Sequence, residues 1–311
     1  MKARPIGSDS RESKTQLRNE CNCIQKRRIE LASIWMHKTC NNEVTMFTKL
    51  SPIVAVIALV GVGCSSQLPT EPDQALTSEN AVTSRAISSH VAQAGNNVET
   101  VMFKVRIENV SNSTTLHLSN GQTAPVPISP GLWTVTRQLN PLFKIGQVDP
   151  GFGMEHLAED GDPSTLAANM AANPEVKASG VFTTPVGGAG PAPAFPGDAY
   201  EFTFSAETGD GLSLATMFVQ SNDLFYSPGR VAIPLFHRSR APISGDITHY
   251  FRLWDAGTEV NQEPGLGAEQ APRQSGPNTG ESESKRVRMV QDGYTYPETG
   301  EVIKVTITPI S

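Results

Sequence analysis

VMFKVRIENV, residues 101–110, sets Val101, Phe103, Val105 and Ile107 against Met102, Lys104, Arg106 and Glu108. Apolar residues at period two leave one greasy face and one polar face, the pattern of a half-buried β-strand. The same alternation closes the chain in VIKVTITPI (302–310), through Ile303, Val305 and Ile307, and recurs in YEFTFSA (200–206) and HYFRLW (249–254). GLSLATMFV (211–219) is apolar on both faces and reads as a central strand. VAIPLF (231–236) is the one further strand candidate before residue 249, and ETGD and YSPGR punctuate the runs as turns. A single helical island, residues 151–176, places Met154, Leu157, Leu166 and Met170 at helical spacing. Within it Asp162 and Pro163 read as an N-cap followed by proline at the first helical position. The Gly/Pro-rich stretch 186–198 is a loop. The expected fold is all-β: an antiparallel β-sandwich over 99–311 with a short helical insertion closing one end.

Outward from that domain the text changes. Beginning at Met46, the sequence MFTKLSPIVAVIALVGVGCSSQ holds one Lys, an apolar run from Pro52 to Gly63, then small residues and Cys64. The run is short for a bilayer span and has the make-up of a secretory signal. It resembles a bacterial lipoprotein signal peptide over 46–63, which implies lipidation of Cys64 as the mature N-terminus. Ser65 after the cysteine, where Asp would imply inner-membrane retention, points to an outer-membrane lipoprotein or cell-surface location. Residues 1–45, basic and without hydrophobic periodicity, are expected to be a mis-assigned upstream segment. Residues 64–98 lack aromatics and are rich in Ser, Thr, Ala and Asn, the composition of a flexible tether.

Cysteine and charge agree with this division. Cys21, Cys23 and Cys40 precede Met46 and the fourth is Cys64, so the domain has no thiol and no disulfide. Ten of the 25 Lys and Arg but only five of the 31 Asp and Glu lie before Cys64, which leaves the remainder with 15 basic and 26 acidic residues. Nucleic acid is excluded as a natural partner of such a surface, and cations are favoured.

LWDAGTEVNQE (253–263) places Asp255 and Glu259 on either side of Ala-Gly-Thr at the end of a strand, and Asp223 follows strand 211–219. In an up, down, up meander through 231–236, all three acids emerge at one end of the sheet. Converging carboxylates repel one another unless a cation sits between them. Calcium, which takes about six to eight oxygen ligands, suits loops at a sandwich rim. Gly257 permits a sharp left-handed turn between two of the acids. The plain alternative is that acids at strand ends face water. Zinc is not indicated, because no His or Cys accompanies them. Glu159, Asp160 and Asp162 in AEDGDPS superficially resemble an EF-hand start, but a helix end and a cap explain them better.

The blocks LSLATMFVQSNDLF, LWDAGTEVN, GMEHLAEDGDPSTL and SPGLWTV (129–135), taken in chain order, resemble the spondin N-terminal domain over most of 99–311. The resemblance implies a β-sandwich similar to calcium-dependent lipid-binding domains. It also implies calcium held at Asp223, Asp255 and Glu259. Glu259 stands where the family has Asp, and Leu224 where it has Trp.

Catalysis finds no support: His117, His156, His237 and His249 are scattered, and no Gly-x-Ser-x-Gly elbow occurs. Paired acids within one short turn suit a shared ion better than the opposite faces of a sugar. Trp133 and Trp254 read as packing residues, and ESESKRVR (281–288) as a solvated strand edge. The expected function is therefore non-enzymatic: a lipid-anchored, calcium-binding module for adhesion or binding of a protein or glycan at the cell envelope. The alternative is a metal-free carbohydrate-binding or envelope scaffold module.

Overall fold

The computed structural model describes residues 100–310. The upstream segment, signal, Cys64 and tether expected over 1–98 lie outside the described residues. In chain order the strands are β1 (Thr100–Asn109), β2 (Leu116–His117), β3 (Thr123–Ala124), β4 (Ile128–Thr136), β5 (Val176–Phe182), β6 (Ala199–Glu207) and β7 (Gly211–Phe218). They continue as β8 (Leu224–Pro228), β9 (Ile233–Pro234), β10 (Gly245–Asp246), β11 (Phe251–Asp255), β12 (Arg288–Met289) and β13 (Ile303–Ile310). The helices are α1 (Met154–Asp160), α2 (Ser164–Ala172) and the one-turn α3 (Thr299–Val302).

The alternating segments at the two ends of the domain pair with each other. β1 and β13 run antiparallel from Met102↔Ile310 to Asn109↔Ile303, and β6 flanks β1 on its other side, giving a four-stranded sheet in the order β10-β13-β1-β6. Phe103, Val105, Ile107, Val305 and Ile307 turn inward and are fully buried, while Lys104, Arg106 and Glu201 pair on the wet face. The second sheet runs β12-β11-β8-β7-β4-β5, with β9 pairing beside β7. The two sheets pack face to face, and Trp133 of β4 lies parallel to Phe202 of β6 at 5.5 Å between ring centroids. An antiparallel sandwich with a short helical insertion is the architecture.

Both faces of the central strands are covered, and this decides where the helices go. On the inner face Leu214, Tyr226 and Leu253 join the sandwich core. On the outer face their neighbours Ala215, Phe225 and Trp254 pack with Met154, Leu157, Leu166 and Met170 in a second apolar cluster. The helices thus lie over the outer face of the large sheet as a third layer, rather than closing one end as expected. α1 ends at Gly161 with φ 69°. The N-cap position of α2 is Pro163, one residue on from the expected Asp162, whose Oδ1 accepts from the Ser164 amide at 2.9 Å just ahead of the helix.

The meander that sets the rim is β7-β8-β11, not the one drawn through 231–236. β8 begins directly after Asp223, and Asp255 of β11 pairs with Leu224 of β8. VAIPLF supplies only the two-residue β9, which pairs with the start of β7, at the opposite end from the rim.

Candidate metal centre

At the rim where β7 ends and β11 ends, a loop system without regular structure folds over the sheet. Residues 257–260 pair with 281–285: Lys285 N donates to Gly257 O and Glu283 N to Thr258 O, both at 2.8 Å. Fully buried Gln270 stitches the intervening loop, donating to the carbonyl of Glu263 at 2.9 Å and accepting from the Gly265 amide at 3.0 Å. Gly257 has φ 73°, and a Cβ there would lie 2.6 Å from the Lys285 carbonyl oxygen. Only glycine fits that turn.

Asp223 is wholly buried. Its Oδ2 accepts from the amides of Thr258 at 2.8 Å and Glu259 at 3.2 Å, so the turn between the two acids wraps its amides around the third. Its Oδ1 has no hydrogen-bond partner. Burial pushes the Asp223 carboxyl up to about 7, with the neighbouring Asp255 charge adding to the effect. Asp255 is likewise wholly buried. Its Oδ2 meets Arg288 Nη2 at 2.7 Å and accepts from Asn261 Nδ2 at 3.0 Å, while its Oδ1 is unpartnered. Burial raises its carboxyl too, and the Arg288 guanidinium opposes the rise.

The third expected residue points elsewhere. Glu259 Oε2 accepts from Asn222 Nδ2 at 3.1 Å, and its carboxylate also takes the Gly280 amide. A Cβ at Gly280 would collide with that carboxylate. The structure thus brings Asp223 and Asp255 together as carboxylates and directs Glu259 into its own cradle, its amide rather than its acid serving Asp223. Among the described residues no three His, Cys, Asp or Glu side chains are close enough to share an ion.

Three residues outside that expected set belong here. Asn261 Oδ1 is buried and unpartnered like the two Asp Oδ1 atoms, so three orphaned oxygens lie within one hydrogen-bonded constellation. A buried oxygen without a donor is costly, and carboxylates with an amide carbonyl are the donor types that hard cations select. Arg288 supplies a fixed counter-charge from β12. Glu159, at the end of α1, is 3% exposed. Its carboxyl is pushed up to about 8 by burial, with Glu259 and Asp223 contributing repulsion. In sequence the signal for Asn261 was its place two residues after Glu259. Glu159 stood in the AEDGDPS run read as a helix end and Arg288 in the stretch read as a solvated strand edge; neither reading places its residue at the rim, because each reaches it from an element whose packing the text does not specify.

Trp133 and Trp254 are buried, and the indole of Trp254 donates to Ser227 O at 3.0 Å. Neither offers a face for stacking a sugar. Among the described residues no helix is long and apolar enough to cross a membrane. No family model matches this chain, and no curated protein matches it closely enough to count as a relative.

Proposed function

We propose that this chain is an exported, lipid-anchored β-sandwich that binds calcium at Asp223, Asp255 and Glu259 and serves adhesion or binding at the cell envelope, without catalysis of its own. The observation that carries the calcium reading is the set of buried, unpartnered oxygens: Asp223 Oδ1, Asp255 Oδ1 and Asn261 Oδ1. They are the donor types a hard cation takes, and on this reading Asn261 joins the ligand set. Glu259 takes part through its amide, which fixes Asp223, and its longer side chain becomes a ligand if Asn222 releases it. The spondin-like blocks supply the fold analogy and the suggestion of matrix binding, which a fold alone does not fix. Calcium would clamp rim loops that have no disulfide to hold them.

A second reading rests on Arg288. Its guanidinium already neutralises Asp255 at 2.7 Å, which suits a metal-free carbohydrate-binding or scaffold module. The thermal midpoint with calcium and with excess chelator separates the two. At calcium a hundredfold above Kd, a rise of roughly 5–10 °C is expected, lost in Asp255→Asn. An identical midpoint in calcium and chelator eliminates the ion and leaves the Arg288 reading.

A further inference from the structure

The opposite end of the large sheet has the contrary chemistry. β4 leaves it at Thr136 and β8 at Pro228, and the segments that follow pair with one another. Asn140 N donates to Arg230 O and Ala232 N to Gln138 O, both at 3.0 Å, which sets Leu139 directly beside Val231. These two aliphatic side chains are 54% and 60% exposed. Arg230, exposed, adjoins them. β9 then runs past the same end of β7 into a hairpin whose exposed tip carries Arg238 and Arg240. Arg240 is held there at φ 68°, its amide donating to His237 O at 2.8 Å.

Acids at this end are already matched: Lys177 meets Asp210 at 2.8 Å and Glu207 at 3.1 Å, and Arg137 lies 3.6 Å from Asp210. Glu175 stands at the far flank, before the edge strand β5. Among the described residues the side chains of Arg230, Arg238 and Arg240 form no ion pair. In a domain whose acids outnumber its bases, three guanidinium groups with no ion pair among the described residues share this end with an exposed aliphatic pair.

We propose that this end docks onto the phosphate headgroups of an anionic lipid bilayer, with Leu139 and Val231 turned to the acyl boundary. A guanidinium fork matches phosphate oxygens two at a time. Basic residues flanking exposed aliphatic ones are the pattern of an interfacial contact. A soluble polyanion would use the arginines and leave the aliphatic pair without a role. The surface lies at the far end from Asp223, and docking requires neither calcium nor the lipid on Cys64.

The test uses the full chain as Cys64→Ser, in chelator, sedimented with vesicles of phosphatidylcholine alone or of an equimolar mixture with phosphatidylglycerol. Binding to the mixed vesicles only is expected. The triple variant Arg230→Gln, Arg238→Gln, Arg240→Gln should weaken it roughly 100-fold, and Leu139→Ser with Val231→Ser roughly tenfold. All these positions are exposed, so thermal midpoints should stay at the parent's value. Equal sedimentation with both vesicle types, or no loss in the arginine variant, overturns the proposal. Binding that survives the aliphatic variant unchanged and is displaced by dextran sulfate overturns it too, and assigns the surface to a soluble polyanion.

Discussion

Asp223 rests one oxygen on the amides of Thr258 and Glu259 and leaves the other bare, and Asp255 does the same with Arg288 and Asn261 as its partners. Each carboxylate is thus oriented by the protein but left half satisfied, an arrangement that stores repulsion until something fills it. Arg288 offsets part of that repulsion at all times, because its charge does not depend on a bound ion. Arg288→Gln removes this offset, leaving Asp255 buried beside Asp223 with no countercharge. Removal of one partner from a buried pair is severe, but the guanidinium is partly solvent-exposed, so a loss of roughly 1–3 kcal/mol is expected in chelator. In calcium the loss should largely vanish, because the ion supplies the missing charge. Urea unfolding under both conditions measures the difference; an equal loss in each would show that Arg288 acts by packing alone.

At the scale of elements, strand pairing is specified by close approach as much as by pattern. The edge strand β5 passes over Trp133 at Gly180, where a Cβ would lie 2.7 Å from the indole ring. That ring is sandwiched against Phe202 and has nowhere to retreat. Gly180→Ala should therefore cost about 1–3 kcal/mol, the range for overpacking a tight core, measured as a drop in urea midpoint at unchanged m-value. The same region shows what a sequence hides. β1, β6 and β13 were legible because one face is wet, and alternation records that wetness residue by residue. β4 and β8 are buried on both faces, so nothing alternates, and Pro228 falls in YSPGR, which reads as a turn rather than as strand. The helical island was legible through Met154, Leu157, Leu166 and Met170, but its position was not. Its partners Phe225 and Trp254 lie on strands about 60 to 100 residues away in the chain, and pattern carries no information across such separations. At the rim the acids of DAGTE were visible and the fate of Glu259 was not, because its cradle at Asn222 and Gly280 comes from two other loops.

The sandwich is electrically polar, with buried acids at one end of the large sheet and, at the other, arginines that form no ion pair among the described residues. The acidic end makes stability depend on pH in a direction opposite to ordinary acid denaturation. Asp223 titrates near 3.8 when unfolded and about 7 when folded, and Glu159 near 4.5 and about 8. A folded pKa above the unfolded one means that the unfolded chain sheds its proton first. Each group therefore costs nothing below its unfolded value, and the cost grows as pH rises through the window up to the folded value. In chelator the thermal midpoint should consequently fall between pH ~5 and pH ~8, as both carboxyls are driven to ionise in a dry, crowded rim. Calcium reverses the sign of the argument, since it binds the ionised forms: its apparent affinity should strengthen over the same window, and the fall should flatten at saturating ion. Midpoints recorded at several pH values, with and without calcium, check both halves at once. A fall that persists undiminished in calcium would mean that the ionised rim attracts no ion. A midpoint that is flat in chelator would mean that water already reaches these carboxylates.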